Sequence, residues 1–346
     1  MKFKAAILTE TKQKLVIEEI NCNKLLRGQV LVKISQTGIC RSQIFEIDGQ
    51  RGPDKWLPHL LGHEAIGEVV EIGPEVSKVK VGNQVILSWI KSKGIEAEPA
   101  KYKWGDKVVN GGRITTFSEY TIVSENRCVN LEGELSQGIG ASLGCAIATG
   151  YGITLTLDDI QKAKNIGIVG LGGIGMSVLL GIIQETNANS IAIDINEERL
   201  KEAKILGATF SIKPQLTKDL KKELLKITGE LMDVIIECTG TINGLESSLS
   251  LIKNNGIVKF ISHPKTGEIL KIDPYELILG KRIEGSWGGG VDPESHFHLI
   301  AKKVEGNLNF KKFYTNKKYS LDEINRAIND LRVGETLRPI ISFEEN

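Results

Sequence analysis

The turn Gly170-Leu171-Gly172-Gly173-Ile174-Gly175 constrains the fold of this chain more than any other stretch. It follows the apolar run Ile166-Gly167-Ile168-Val169 and opens an apolar segment that reads as a helix through Ile183. A strand, a glycine turn and a helix in that order specify a βαβ unit. The first glycine makes the tight turn, the second lets a pyrophosphate approach the backbone, and the third lets helix pack on strand. The helix N-terminus then offers its N–H groups to phosphate. A second strand, Ser190-Ile191-Ala192-Ile193-Asp194, ends in a carboxylate 24 residues after Gly170. A carboxylate there accepts hydrogen bonds from ribose hydroxyls and repels a 2′-phosphate, which favours NAD over NADP. The candidate cofactor residues are Gly170, Gly172, Gly173, Ile174, Gly175, Asp194 and Arg199. The competing reading is a plain glycine-rich turn that binds nothing.

Further strands are expected at Asp233–Glu237 and Gly256–Ile261, with the charged helix Glu197–Leu206 between strands. Strand and helix alternating in this way predict a parallel doubly wound sheet. The first 140 or so residues differ: short Val- and Ile-rich runs punctuated by Gly and Pro read as strands and tight turns. The expected class is α/β, with residues 1–147 β-rich, 148–286 forming the dinucleotide domain, and 287–346 leaving that sheet. Lys91–Gly112 is polar and Lys-rich, and reads as a long surface lobe.

Cys40, His63 and Cys145 stand in the settings Gly38-Ile39-Cys40-Arg41-Ser42, Gly62-His63-Glu64 and Gly144-Cys145-Ala146. Two thiolates and one imidazole suit a catalytic zinc, because the fourth tetrahedral position stays open for water or substrate. Singly, each has a plainer reading: a buried cysteine is a small hydrophobe, and a histidine is often a hydrogen-bonded structural residue. Zinc beside a dinucleotide points to oxidation of an alcohol by hydride transfer.

Composition narrows the partners. The 346 residues carry a formal net charge of +1, so no field is built for nucleic acid or an anionic membrane. No run of 18 apolar residues stands out in the sequence, so no transmembrane helix is expected. The N-terminus reads as a first strand, too short in its apolar part for a secretory signal. Five widely spaced cysteines argue against a disulfide framework and for a reducing cytoplasm.

These motifs together resemble the zinc-dependent medium-chain alcohol dehydrogenases. The resemblance runs nearly end to end. It rests on Gly-Ile-Cys at 38–40, Gly-His-Glu at 62–64, Gly-Cys-x-x-x-Thr-Gly-Tyr-Gly at 144–152, the fingerprint at 170–175, Gly285-Ser286-Trp287-Gly288-Gly289, Leu321-Asp322-Glu323-Ile324-Asn325 and Leu337-Arg338. It implies a GroES-like catalytic domain joined to a Rossmann domain, one catalytic zinc per chain on Cys40, His63 and Cys145, and Glu64 as a carboxylate behind or on the metal. It implies that Arg41 and Arg338 contact the cofactor pyrophosphate, that Ser42 receives the substrate proton, and that the chain forms a homodimer or homotetramer.

Three departures from the family pattern stand out. Gln43 replaces the Asp that orients the metal-bound histidine; an amide is neutral and a weaker acceptor. Phe45 occupies the position of a relay histidine, so a proton leaving Ser42 must end on water, the cofactor ribose or another group. Lys91–Gly112 holds no cysteine, so no structural zinc is expected there. The resemblance also places Trp89, His263 and Trp287 near substrate or nicotinamide, with Arg51 and Lys55 in the segment that forms the pocket mouth. A histidine and two cations suit a polar alcohol such as a polyol, sugar, cyclitol or phosphorylated alcohol. The alternatives are a simple aliphatic or aromatic alcohol, a zinc-free quinone or enoyl reductase on the same fold, and a non-catalytic dinucleotide-binding protein.

Overall fold

In the computed structural model, which describes residues 1–131, 135–136, 138–216, 219–315 and 317–343, the chain divides into two compact units. One comprises Met1–Cys145 with Asp292–Asn346, and the other Ala146–Val291. The fold is α/β, a β-rich GroES-like unit and a Rossmann unit.

The β-rich unit holds a closed barrel of strands Lys2–Leu8, Val16–Cys22, Ala100–Trp104, Lys107–Gly112 and His59–Leu60. A second sheet runs in the order Cys128–Asn130, Gln84–Ser88, Glu64–Ile72, Gln29–Gly38, Ile340–Ser342, Lys318–Tyr319, with Tyr120–Ser124 also pairing with Gln29–Gly38. The C-terminal strand Ile340–Ser342 lies antiparallel to Gln29–Gly38 and so brings the end of the chain back to its beginning.

The expected surface lobe at Lys91–Gly112 is corrected in part. Residues Ala100–Trp104 and Lys107–Gly112 form an antiparallel hairpin that completes the barrel. Ala100 and Tyr102 point inward while Lys101 and Lys103 stay exposed, the period of two expected of a strand with one wet face. The lysines masked that alternation in a reading led by charge.

In the other unit six parallel strands run in the order Phe210–Ile212, Asn189–Ile193, Asn165–Val169, Met232–Glu237, Ile252–Phe260, Arg282–Gly285. This is the doubly wound order with its switch point beside Asn165–Val169, where ligands bind at the carboxyl ends of strands. The strand Asn165–Val169 is buried throughout, as both-face coverage requires. The helix after the glycine turn is Gly173–Glu185, two residues beyond Ile183.

One stretch departs from the membrane expectation. The helical run Ile139–Thr156 carries no charged side chain and is long and apolar enough to cross a bilayer by length and composition. It is mostly buried inside the protein, as a core helix is.

Candidate functional site

Two of the expected metal ligands sit at the edge of a regular element and the third lies inside a helical run. Cys40 is the N-cap of the helix Arg41–Ile47, His63 directly precedes the strand Glu64–Ile72, and Cys145 lies in a single π-turn, Leu143–Ile147. Such π-turns are rare and recur at functional sites. The three donor atoms lie within 4.8 Å of one another, and His63 Nε2 is 3.2 Å from Cys145 Sγ. The glycines in the three motifs have steric causes. A Cβ on Gly38 would meet Glu64 Oε1 at 2.1 Å, one on Gly144 would meet the Leu87 carbonyl at 2.1 Å, and Gly62 has φ +90°.

The electrostatics suit a divalent cation. The Cys40 thiol is held well below its ordinary range, first by the hydrogen bond from Cys145 and then, against burial, by Arg338 and His63. Cys145 is pushed well above its range by that same neighbour and by burial. Two buried sulfurs that cannot both ionise alone are what a metal cation resolves. The donor set therefore fits zinc.

Glu64 is not among the three clustered donors. It is fully buried, and Arg338 Nε donates to its Oε1 at 2.6 Å. Burial pushes the carboxyl up and Arg338 opposes that shift. Arg338 is itself held well above its ordinary value, against burial, by Cys40, Glu64 and Cys145. A guanidinium does not release its proton, so Arg338 stays cationic beside the Glu64 carboxyl. Arg338 Nη2 is buried without a hydrogen-bond partner among the described residues, and Arg41 is exposed at the first turn of its helix.

Ser42 Oγ is also buried without a partner among the described residues, an orphan hydroxyl two positions from Cys40. Gln43 lies against the site. Its Oε1 accepts from Cys40 N at 2.7 Å, and its Nε2 lies 2.6 Å from His63 Nδ1. Trp89 presents its ring to His63 at 6.4 Å between centroids, in edge geometry, and Arg127 donates to the Trp89 carbonyl. Arg51 and Lys55 are exposed, and Lys55 Nζ lies 5.0 Å from the centre of the Trp56 ring. Reading from motifs missed Glu46. It falls one helical turn beyond Ser42 and Gln43, and burial pushes its carboxyl up while Arg51, His63 and His59 pull it down. The signal that could have found it is helical spacing, since i+3 and i+4 share a face.

In the Rossmann unit the glycine turn has the form a dinucleotide needs. A Cβ on Gly175 would fall 1.9 Å from the Gly170 carbonyl, so helix and strand touch there. A Cβ on Gly172 would meet nothing within 4 Å. The space above Gly172 is open, and Gly172, the N-cap of Gly173–Glu185, brings no side chain to satisfy the helix's first N–H groups. Gly173 and Ile174 begin that helix. Asp194 ties the turn to the next strand, its Oδ2 accepting from Leu171 N at 2.6 Å and its Oδ1 from Asn196 N at 2.8 Å. Four lone-pair sites leave room for ribose hydroxyls as well. Arg199 Nη1 lies 3.9 Å from Asp194 Oδ2. His263 and Trp287 are exposed on this unit.

A doubly wound dinucleotide fold and a β-rich fold with a Cys/His/Cys donor set define a zinc oxidoreductase. A family model for the alcohol dehydrogenase GroES-like domain matches residues 26–133, and one for zinc-binding dehydrogenases matches residues 173–303. An S-(hydroxymethyl)glutathione dehydrogenase of Escherichia coli is 29% identical, the match covering 99% of this chain and 100% of that protein. One from Synechocystis is 28% identical over the same shares. The structure of benzyl alcohol dehydrogenase from Acinetobacter calcoaceticus is 28% identical with a TM-score of 0.87, covering 99% of this chain and 100% of that one. The chain belongs to the zinc-dependent medium-chain alcohol dehydrogenase family.

Proposed function

We propose that this chain is an NAD-dependent dehydrogenase of a polar alcohol, with Cys40, His63 and Cys145 holding its zinc. The observation that carries the reading is the set of two thiols and one imidazole whose donor atoms lie within 4.8 Å of one another. Zinc bound there supplies Lewis-acid polarisation of the alcohol or carbonyl oxygen, and NAD supplies the hydride acceptor.

The chain's own residues do the rest. Ser42 Oγ has the chemistry to take the substrate hydroxyl proton, being donor and acceptor in one atom with no hydrogen-bond partner among the described residues. Phe45 passes no proton on, so the route from Ser42 leads to water, the cofactor ribose or another titratable group. Gly170, Gly172 and Gly175 shape the phosphate turn, Asp194 selects NAD, and Arg199, Arg41 and Arg338 are cationic candidates for cofactor phosphates. Glu64 acts through its ion pair with Arg338.

Exposed Arg51 and Lys55 support a polar or anionic substrate, in line with the S-(hydroxymethyl)glutathione in the name of the curated relatives. A second reading, an aromatic alcohol, is favoured by the Trp89 ring beside His63 and by the benzyl alcohol relative. A cytoplasmic homo-oligomer fits five free thiols and the family resemblance.

The test is reduction of NAD by the zinc-loaded protein on two panels. One holds polyols, sugars and sugar phosphates; the other holds aliphatic and benzylic alcohols. Preference for the first supports the polar reading, and preference for the second overturns it in favour of the aromatic one.

A further inference from the structure

Gln43 is buried at the joint between a helix cap and a metal ligand, and it faces two groups with opposite demands. Cys40 N is a backbone donor and can only donate. The Gln43 atom 2.7 Å from it is therefore the carbonyl oxygen, which closes a capping box on the helix Arg41–Ile47. That choice turns the amide NH₂ toward His63 Nδ1, 2.6 Å away. An NH₂ can only donate, so Nδ1 must accept and the imidazole proton sits on Nε2, the nitrogen that faces Cys145 Sγ.

A metal shared with the two cysteines needs the lone pair of that same Nε2. The neutral ring then carries its proton on Nδ1, and two donors confront each other across the Gln43 contact. Turning the amide over repairs this contact and breaks the other, because a glutamine has one carbonyl oxygen and both neighbours then donate. A carboxylate would accept from both at once.

We propose that Gln43 is a positioning residue that couples metal occupancy to the cap of the helix Arg41–Ile47, its amide turning when zinc takes His63, so that the chain gives up the Cys40 cap hydrogen bond to hold the metal. This rests on Cys40, His63 and Cys145 being the zinc site. The chain holds zinc less tightly than its ligand set allows, and position 43 sets the difference.

The test is the zinc dissociation constant, by competition with a chromogenic chelator, for the full-length chain and for Gln43→Glu, which changes one atom and supplies the second acceptor. The expected result is about 10- to 100-fold tighter binding by the variant, the range typical of groups that orient a metal-bound histidine. Equal or weaker binding by a folded variant overturns the proposal. A second measurement needs no variant: hydrogen exchange of the Cys40 amide by NMR, without and with zinc. Loss of the cap bond predicts exchange about tenfold faster with zinc, the equivalent of one hydrogen bond. A merely structural glutamine predicts unchanged or slower exchange, and that result also overturns the proposal. If the wild-type chain binds no zinc, the reading of the metal site fails and takes this inference with it. If it binds one zinc and neither measurement moves, the inference fails alone.

Discussion

Arg338 reaches across 274 positions of sequence to place its Nε 2.6 Å from Glu64 Oε1, with both side chains buried. Cys40 and Cys145 act on the guanidinium as well, raising it with Glu64 against the effect of burial. Glu64→Gln leaves that cation without its counter-charge. We expect a loss of about 3–5 kcal/mol in denaturant unfolding, the usual cost of breaking a buried pair by removing one partner. A loss below about 1 kcal/mol, the range of an exposed pair, would mean the two groups are solvated in solution.

The two glycines of the turn should fail in different ways. Gly175→Ala puts a methyl group 1.9 Å from the Gly170 carbonyl, so stability should fall by about 1–3 kcal/mol or more, as overpacking does. Gly172→Ala meets open space at an ordinary φ of −74°, so its melting temperature should hold. Its affinity for NADH, read by fluorescence titration, should drop because the methyl group occupies the approach to the pyrophosphate. Unchanged NADH affinity in Gly172→Ala would mean the dinucleotide does not cross this turn.

Asp194→Ser tests cofactor choice. The NAD-to-NADP efficiency ratio should fall by about tenfold or more, the equivalent of one lost ribose hydrogen bond. Stability should fall too, since Leu171 N and Asn196 N lose their acceptor. A lower stability with an unmoved ratio would make Asp194 a bracket for the turn and nothing more.

Much of this was legible because the chemistry is local in sequence. The fingerprint glycines and each candidate zinc ligand stand in motifs a few residues long, and the glycines beside those candidates turn out to be steric necessities. What was not legible depended on distance or direction. No local pattern links Arg338 to Glu64. The amide of Gln43 was expected to accept from the imidazole, whereas its oxygen is taken by Cys40 N and its nitrogen faces His63. The barrel hairpin was hidden because Lys101 and Lys103 flank a fully buried Tyr102.

Tyr102 gives a pH dependence with a definite sign. Burial pushes its hydroxyl up to about 12, while the unfolded chain titrates near the ordinary value of 10.0. Between those values the folded chain keeps a proton that the unfolded chain has lost. The contribution is thus full below about pH 10 and is lost as pH rises toward 12, worth up to about 3 kcal/mol. Tyr102→Phe should flatten that part of the alkaline unfolding curve. It should also cost about 1–3 kcal/mol at neutral pH, because Ile122 N donates to the Tyr102 hydroxyl and would be left buried without an acceptor. An unchanged alkaline slope would contradict the assignment.

The most direct test of the whole account is a zinc titration of chelator-stripped protein, following NAD reduction on a mixed alcohol panel together with bound metal. The expected result is no activity in the stripped protein, then a linear rise that saturates at one zinc per chain, and neither metal nor activity in Cys145→Ala. Activity that survives stripping, or a Cys145→Ala variant that still binds one zinc and turns over, would contradict it.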